Sequence, residues 1–344
     1  MADPATDRRA QNFKRFFEQS GWSVEIISIS LRTTRGPKRF LEYDQALARA
    51  VRNRFADVVM ACDLFSLTQA RRMKNLSNAK VLLYDAREVY TELPHVADHP
   101  IKKWIWRRLE RRGLMETDFV IVTGPRDVQA ICNVHDFLPR PVMVRNLPWH
   151  EDNLERDRSL LTRFGIPPDV TVAVYVGGLQ EGRGLPKLVQ VFQALPEKHL
   201  LLIGDGKLRQ GLELMATPNV HFAGAVPAEE AMRLVASCDA GISLIESISP
   251  SYALGLPSKV FEYMMIGIPV VSSRLLQVLD LFEREQWIFF VDVNDPTSIR
   301  RGIESAFATG HSPIRDRERS LALAEYHFAH DAEKLLTLLR TIPL

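Results

Sequence analysis

Ser258, Lys259 and Glu262 stand close together in the segment LPSKVFEYMMIGIPVV, residues 256–271. The proline before Ser258 and the glycine at position 267 predict a helix between them, because proline favours a helix start and glycine a left-handed helix end. The free amides and positive potential of such a start suit a phosphate or diphosphate. Ser258 can cap the helix, and Glu262 can accept hydrogen bonds from ribose hydroxyls. The alternative is an ordinary helix of an α/β domain with a solvated Glu262.

A glycine-rich loop follows the predicted strand TVAVYV. It contains four glycines, which are Gly177, Gly178, Gly182 and Gly184. They let the backbone come close to a ligand, and Arg183 places a fork of donors suited to phosphate oxygens at the tip. A similar close-approach turn, with Gly204 and Gly206, ends the strand KHLLLI. Neither G-K-[ST] nor G-x-G-x-x-G is present, so this is neither a Walker loop nor a dinucleotide fingerprint.

Polar residues also follow the predicted strand KVLLYDA of the N-terminal half, where Arg87 and Glu88 come directly after it. Ligands bind at the carboxyl ends of parallel strands, so this loop is a second candidate site. Arg87 can offset negative charge there but cannot act as a base at neutral pH. A salt-bridged loop arginine is the alternative interpretation.

The segment PIKKWIWRRLERRGL, residues 100–114, has the highest density of positive charge. As a helix it places Ile101, Ile105 and Leu109 on one face, flanked by Trp104 and Trp106. Its cations crowd the opposite side, and they are Lys102, Lys103, Arg107 and Arg111. This pattern suits a helix lying on an anionic membrane through residues 101–112. A core-facing helix with a solvated basic side would look similar.

Strands and helices alternate along the whole chain, which predicts an α/β fold with parallel sheets. The 344 residues suffice for two domains, which we place at 1–148 and 149–325, followed by a C-terminal helix at 326–344. A hinge is predicted in NLPWHED. The N-terminal half opens with a helix from Asp7 to Ser20 and a strand VEIISIS, although a doubly wound domain opens with a strand.

Composition narrows the function classes further. The net charge of +2 and 25% charged residues are those of an ordinary globular protein and indicate no nucleic-acid partner. The three cysteines lack C-x-x-C spacing, which argues against a disulfide framework or a zinc site and for a cytoplasmic protein. His95 and His99 are flanked by prolines, so no metal or other cofactor is expected. No run of 18 apolar residues predicts a membrane span.

The segment 256–271 resembles the donor-site segment of glycosyltransferase family 4, in the branch that runs close to LPxKLFEYMxxGxPVV. The loop VGGLQEGRG is similar to that family's VGxLxxxKG, with Arg183 at the lysine and Gly178 at an earlier arginine. DAREVY is similar to its D-x-H-E, with Arg87 at the histidine. Many members also have a glutamate where this chain has Leu254.

The resemblance implies a GT-B fold, in which two Rossmann-like doubly wound domains face each other across a cleft. The N-terminal match starts after the family's first strand, so we expect that strand to be missing. Arg183, helped by Lys259, would hold the diphosphate of a UDP- or GDP-linked sugar, and Glu262 the ribose. Arg87 would offset charge on the leaving diphosphate, and the terminal helix would cross back to the first domain.

The implied reaction is retaining transfer of the sugar to a glycan, lipid-linked or small-molecule acceptor, without a metal, in polysaccharide or glycolipid assembly. The enzyme would work in the cytoplasm, with peripheral contact at the inner face of the membrane. Two alternatives stay open. One is a nucleotide-sugar epimerase on the same fold. The other is a non-catalytic binding or partner subunit, favoured by the missing strand, by Leu254 and by Arg87.

Overall fold

The computed structural model describes residues 7–29, 38–149, 154–310 and 314–343. By its internal contacts the chain forms two compact units. The first unit comprises Met1–Asn146, Ser249–Ser251 and Phe328–Leu344, and the second comprises Leu147–Ile248 and Tyr252–His327. The hinge predicted in NLPWHED falls partly on residues 150–153, which lie outside the described residues.

The described residues form helices and strands that alternate in chain order. They are α1 Arg8–Gln19, α2 Lys38–Ala50, β1 Val58–Cys62, α3 Leu64–Leu76, β2 Val81–Ala86, α4 Pro100–Leu114, β3 Phe119–Val122, α5 Pro125–Val134, β4 Pro141–Met143, α6 Ser159–Thr162, β5 Thr171–Val176, α7 Leu185–Gln193, β6 Lys198–Ile203, α8 Arg209–Met215, β7 Val220–Gly224, α9 Ala228–Ala236, β8 Ala240–Ser243, α10 Pro250–Ala253, α11 Ser258–Ile266, β9 Val270–Ser273, α12 Leu276–Phe282, β10 Ile288–Val291, α13 Pro296–Thr309, α14 Ile314–Glu325 and α15 Phe328–Arg340.

The first unit contains a parallel sheet of order β1-β2-β3-β4 within the described residues. Both inner strands, β2 and β3, are buried along their whole length, as expected for strands covered on both faces. Helix α1 begins at Asp7, whose carboxylate accepts from the amide of Ala10. Its buried Phe13 packs edge-to-face on Phe328 of α15, with ring centroids 5.0 Å apart.

The strand predicted in VEIISIS is wrong, because residues 22–29 have no regular secondary structure. A strand exists only where its backbone groups pair with a neighbour, and no described strand forms a ladder with this segment. Consequently the described sheet of the first unit follows chain order, without the reversal that defines a doubly wound sheet. The expected absence of an earlier first strand concerns residues before Asp7, which lie outside the described residues.

The second unit has a parallel six-stranded sheet of order β10-β9-β8-β5-β6-β7 among the described residues. The chain moves from β5 to β7 and then returns to the other side of β5, so the order reverses between β5 and β8. Side chains of β5, β6, β8 and α7 form a contiguous apolar core. The carboxyl ends of β5 and β8 are therefore the switch point at which doubly wound sheets bind ligands.

Candidate functional site

The loops that follow β5, β6 and β7 are packed backbone against backbone at this switch point. The amide of Gly177 donates to the carbonyl of Ile203 at 2.9 Å, and that of Gly204 donates to the carbonyl of Gly224 at 2.8 Å. A Cβ on Gly204 would lie only 2.0 Å from the Gly177 carbonyl oxygen, and both glycines have positive φ angles, +142° and +135°. Gly204 requires glycine because a Cβ would overlap the carbonyl oxygen, and Gly177 favours glycine because L side chains rarely adopt its φ angle.

Gly182 and Gly184 serve a different purpose from the one predicted. A Cβ on Gly182 would lie 2.7 Å from the Tyr252 ring, and one on Gly184 would lie 3.0 Å from Leu244 and Val293. Neighbouring protein atoms thus fill the space beside both glycines, so their small size permits internal packing rather than ligand approach. The amide of Glu246 donates to the Gly182 carbonyl at 3.0 Å, which fastens the loop to the segment after β8.

Arg183, at the tip of this loop, lies over an aromatic ring. Its guanidinium carbon is 5.3 Å from the ring centroid of Tyr252, and among the described residues no carboxylate pairs with it. A cation over a ring face gains about 0.5–2 kcal/mol and keeps its hydrogen-bond donors free. The guanidinium thus has no carboxylate partner in the described part of the chain, and its binding of a diphosphate stays a prediction.

Helix α11 begins at Ser258 and ends at Gly267, whose φ of +78° is left-handed, so the predicted helix is confirmed. The predicted cap is wrong in one respect. Pro257 occupies the cap position, Ser258 is the first helical residue, and no side chain caps the start. Ser258 therefore contributes its position at the amide-rich first turn rather than an acceptor for those amides.

Lys259 lies in the first turn of α11 with its ammonium 4.0 Å from the ring centroid of Tyr175. It makes no hydrogen bond to any described residue. Burial and the charge of Arg183 lower the pKa of Lys259 to about 7, against the opposing effect of Glu262. Lys259 and Arg183 are thus both held over tyrosine rings.

Glu262 is buried, with 7% of its surface exposed, and it lines a small cavity of the second unit. The other lining residues are mostly apolar, and they are Pro148, Leu154, Met232, Met265, Ile266 and Arg319. Gln277 is a residue that sequence reasoning missed. It is 1% exposed and its amide nitrogen donates to the carbonyl of Leu254 at 2.5 Å, which anchors the loop before α11.

The loop after β2 in the first unit holds Arg87 in an ion-pair network. Its Nε donates to Asp85 at 2.7 Å and its Nη1 to Asp7 at 2.6 Å. Burial alone would lower the pKa of Arg87, but Asp85 and Asp7 raise it, so the guanidinium stays charged. Glu88 accepts a hydrogen bond from the hydroxyl of Ser251 at 2.6 Å, within the same unit. Arg87 is thus a salt-bridged loop arginine, as the alternative interpretation of the sequence has it.

Arg9 completes this network, and sequence reasoning did not single it out. The side chain of Arg9 is 4% exposed, and its Nε and Nη2 donate to Asp85 at 3.0 and 2.7 Å. Burial alone would raise the pKa of Asp85, but the charges of Arg9 and Arg87 lower it. A pair so far apart in sequence, at positions 9 and 85, leaves no local pattern that could have revealed it.

Comparison with known proteins bears on the second unit directly. Residues 170–308 match the family model for group 1 glycosyl transferases. The chain is 28% identical over 151 residues to a putative teichuronic acid biosynthesis glycosyltransferase, TuaC, of Bacillus subtilis. It is 28% identical over 182 residues to the lipopolysaccharide core biosynthesis glycosyltransferase LpsE of Rhizobium meliloti. The matched segment of the second unit, residues 170–308, is thus similar to the group 1 glycosyltransferases. The match to TuaC covers 43% of this chain and 36% of TuaC, and the match to LpsE covers 49% of this chain and 49% of LpsE.

Solved structures with the same fold cover nearly the whole of this chain. Sucrose-phosphate synthase from Thermosynechococcus elongatus superposes with a TM-score of 0.71 at 18% identity, over 97% of this chain and 92% of the other. HepE of Anabaena in complex with UDP-glucose gives 0.73 at 16% identity, over 96% and 89%. The fold is therefore GT-B, as the sequence motifs predicted.

Helix α4 carries the positively charged segment 100–114. Three apolar side chains are exposed, Ile101 by 78%, Trp104 by 62% and Ile105 by 43%, so this face is not packed against the described residues. Trp106 is instead turned inward, edge-on to the ring of Phe65. The prediction that both tryptophans flank one open face is therefore wrong, because the partly buried Trp106 fills space against α3.

Two further properties concern the described residues only. No helix there has both the length and the apolar composition needed to cross a membrane. No three side chains among His, Cys, Asp and Glu are grouped there so that they could hold a metal ion.

Proposed function

We propose that this chain is a retaining glycosyltransferase that binds a UDP-linked sugar in its second unit and transfers the sugar to a glycan or lipid-linked acceptor. The observation that carries the proposal is the pair of cations Arg183 and Lys259, which lie over tyrosine rings with no hydrogen bond to a described carboxylate. They stand beside the glycine loops and the uncapped start of α11. This arrangement offers a diphosphate two cations and free amides.

Each donor-site residue has a role in this proposal. Arg183 binds the diphosphate, and Lys259 and the amides near Ser258 assist it. The backbone at Gly177, Gly178 and Gly204 lies close to the nucleotide, since these positions carry no side chain. The carboxylate of Glu262 accepts from the ribose hydroxyls. Supporting a UDP-linked donor, HepE was solved with UDP and with UDP-glucose.

The reaction requires little covalent chemistry from the protein. The bond between the sugar C1 and the diphosphate breaks, the acceptor oxygen bonds to C1 on the same face, and the acceptor proton passes to the departing diphosphate. Positioning and charge stabilisation of the diphosphate are enough for such a step. In the first unit, Arg87 adds positive charge and Glu88 helps to hold the acceptor. The retention of configuration is checked by the anomeric coupling constant of the product in NMR.

The acceptor class and place of action are also proposed. TuaC and LpsE are named for teichuronic acid and lipopolysaccharide core biosynthesis, which supports an acceptor in cell-envelope polysaccharide assembly. The exposed Ile101, Trp104 and Ile105 on a basic helix support peripheral contact of α4 with an anionic membrane. Such contact would bring the cytoplasmic enzyme to a lipid-linked acceptor.

Thermal unfolding with UDP, GDP, ADP and CMP tests the donor site. A nucleotide at about 100 times its Kd adds about 2.7 kcal/mol of stability, so UDP should raise the unfolding temperature most. Arg183→Ala and Glu262→Ala should remove the rise. Arg233→Ala is the matched control, since Arg233 pairs only with Glu229 on the exposed face of α9 in the same unit. Unchanged nucleotide affinity in Arg183→Ala and Glu262→Ala refutes the proposal.

A non-catalytic binding subunit is the second candidate, because Arg87 is engaged by Asp85 and Asp7 and Leu254 replaces a family glutamate. The two candidates differ in turnover. A glycosyltransferase releases UDP from a UDP-sugar slowly even in water and faster with acceptor, whereas a binding subunit releases none. UDP binding without any UDP release, with membrane extract as acceptor source, would establish the second candidate.

A further inference from the structure

Tyr175, at the end of β5, touches both parts of the donor site and was not predicted from the sequence. Its hydroxyl donates to the carbonyl of Gly178 at 3.0 Å, and its ring lies under the ammonium of Lys259 at 4.0 Å. The side chain is 1% exposed. One buried side chain therefore links the glycine loop after β5 to the first turn of α11.

The lack of a side chain at Gly177 leaves room for the contact between Lys259 and Tyr175. A Cβ on Gly177 would lie 3.2 Å from the ammonium nitrogen of Lys259 and 3.3 Å from the hydroxyl oxygen of Tyr175. The ammonium thus rests against the backbone of the loop that we assign to the diphosphate. It reaches this place without a hydrogen bond to any residue that the structure describes.

The surroundings of Lys259 favour loss of a proton from its ammonium group. The titratable side chains that act on it are Arg183 before α7 and Glu262 on its own helix, and its ammonium contacts the ring of Tyr175 on β5. Burial and the charge of Arg183 lower the pKa of Lys259 to about 7, while Glu262 opposes them. Burial raises the pKa of Tyr175 to about 12, so its hydroxyl keeps the proton that it donates to Gly178.

We propose that Tyr175 is a positioning residue that holds the Lys259 side chain over its ring, and that binding of a nucleotide diphosphate draws a proton from solvent onto Lys259. Near neutral pH only part of the Lys259 population is protonated. The neutral amines take up one solvent proton each to become ammonium groups, whose charge the diphosphate then neutralises. Binding of the donor is consequently coupled to proton uptake and weakens as the pH rises above neutral. The inference rests on the proposed function, since it requires a diphosphate at this loop.

Calorimetric titration with UDP-glucose tests the coupling, because this diphosphate has no terminal phosphate that titrates near neutral pH. Binding heats measured in buffers of different ionisation enthalpy give the protons taken up. A group half-protonated before binding takes up about half a proton at pH 7. Lys259→Met should abolish this uptake and weaken binding. Lys198→Met should change neither, since Lys198 lies over the ring of Phe307 away from the glycine loops.

Variants of Tyr175 separate positioning from mere structural support. Tyr175→Phe keeps the ring but loses the bond to Gly178, so binding should weaken severalfold while proton uptake persists. Tyr175→Leu removes the ring and hydrates Lys259, so the uptake should fall toward zero. A purely structural Tyr175 would lower affinity in both variants without changing the proton count.

The outcomes distinguish this inference from the proposed function. UDP-glucose binding with no proton uptake in the wild-type chain overturns the inference and leaves the donor site standing. Uptake that survives in Lys259→Met also overturns it, because another group then takes the proton. Absence of UDP-glucose binding together with absence of a thermal shift by any nucleotide refutes both.

Discussion

Arg9 and Asp85 form a buried, bidentate ion pair that joins α1 to the carboxyl end of β2. Both side chains are almost fully enclosed, and Arg9 also donates to the carbonyl of Val144 at 2.9 Å, next to β4. One guanidinium thereby ties three elements of the first unit together. The same carboxylate holds Arg87, so the pair also orients the loop that we assign to the acceptor side.

Breaking this pair should destabilise the first unit. Arg9→Met leaves a buried carboxylate with only Arg87 as its charged partner, and the loss of one partner of a buried pair costs about 3–5 kcal/mol. Urea unfolding followed by limited proteolysis should show the loss in α1 and β2. Lys14→Ala, which removes an exposed pair with Glu18 on the same helix, is the control and should cost under about 0.5 kcal/mol. Equal stabilities of the two variants would contradict a structural role for Arg9.

Gly204 should be intolerant of any side chain. Gly204→Ala places a Cβ 2.0 Å from the Gly177 carbonyl at a φ of +135°, so we expect a loss of at least about 2 kcal/mol and of nucleotide binding. Gly211→Ala is the matched control. Gly211 lies in α8 with no atom within 4 Å of its Cβ position, so the change should stabilise by up to about 1 kcal/mol. Chemical unfolding of the second unit measures both.

Acid should weaken the first unit through Asp85 and Asp331. Burial alone would raise the pKa of Asp331, but hydrogen bonds from Arg145 and Lys334 lower it, as Arg9 and Arg87 do for Asp85. Both carboxyls therefore bind a proton less readily when folded, so stability is present above their ordinary pKa of about 4 and is lost below it. Unfolding free energies measured from pH 6 to 3 should fall. Asp331→Asn should start lower and fall less steeply.

A histidine pair should make the second unit sensitive to mild acid. Nδ1 of His199 lies 2.9 Å from Nε2 of His221, whose Nδ1 lies 2.9 Å from the carbonyl of Phe164. Burial lowers the pKa of both rings, and for His221 the neighbouring His199 adds to this effect. The unfolded chain then binds more protons near pH 6, so stability should drop as the pH falls below about 6.5. His221→Gln should reduce the drop, whereas the exposed His330→Gln should not.

Helix α4 should bind anionic vesicles through its open apolar face. Replacing Ile101 and Trp104 by serine should weaken binding to phosphatidylglycerol vesicles about tenfold or more. Burying these two side chains in the membrane should contribute at least the corresponding transfer free energy of about 1.4 kcal/mol. Leu214→Ser removes an equally exposed side chain from α8 of the second unit and should have no effect. Vesicle sedimentation in low and high salt measures the binding. Equal binding of all variants would show that α4 does not meet the membrane.

Local patterns in the sequence were enough to predict much of this protein. Apolar runs correctly predicted the strands in KVLLYDA, TVAVYV and KHLLLI. The same signal failed at VEIISIS, which has no ladder partner among the described residues. The start and end of α11 were predictable because Pro257 and Gly267 act through their own backbone preferences. The dense motif around Glu262 likewise pointed to the family that comparison supports.

The tertiary structure decided how the side chains are paired, since pairing depends on residues far apart in sequence. It placed Arg183 over Tyr252 and Lys259 over Tyr175, filled the space beside Gly182 with protein atoms, and turned Trp106 inward. It also joined Arg9 to Asp85 across 76 positions. The sequence by itself determined which residue types and which local elements form the site. Only folding decided which cations are neutralised by carboxylates and which stay available to a ligand, because that choice is made by contacts between elements.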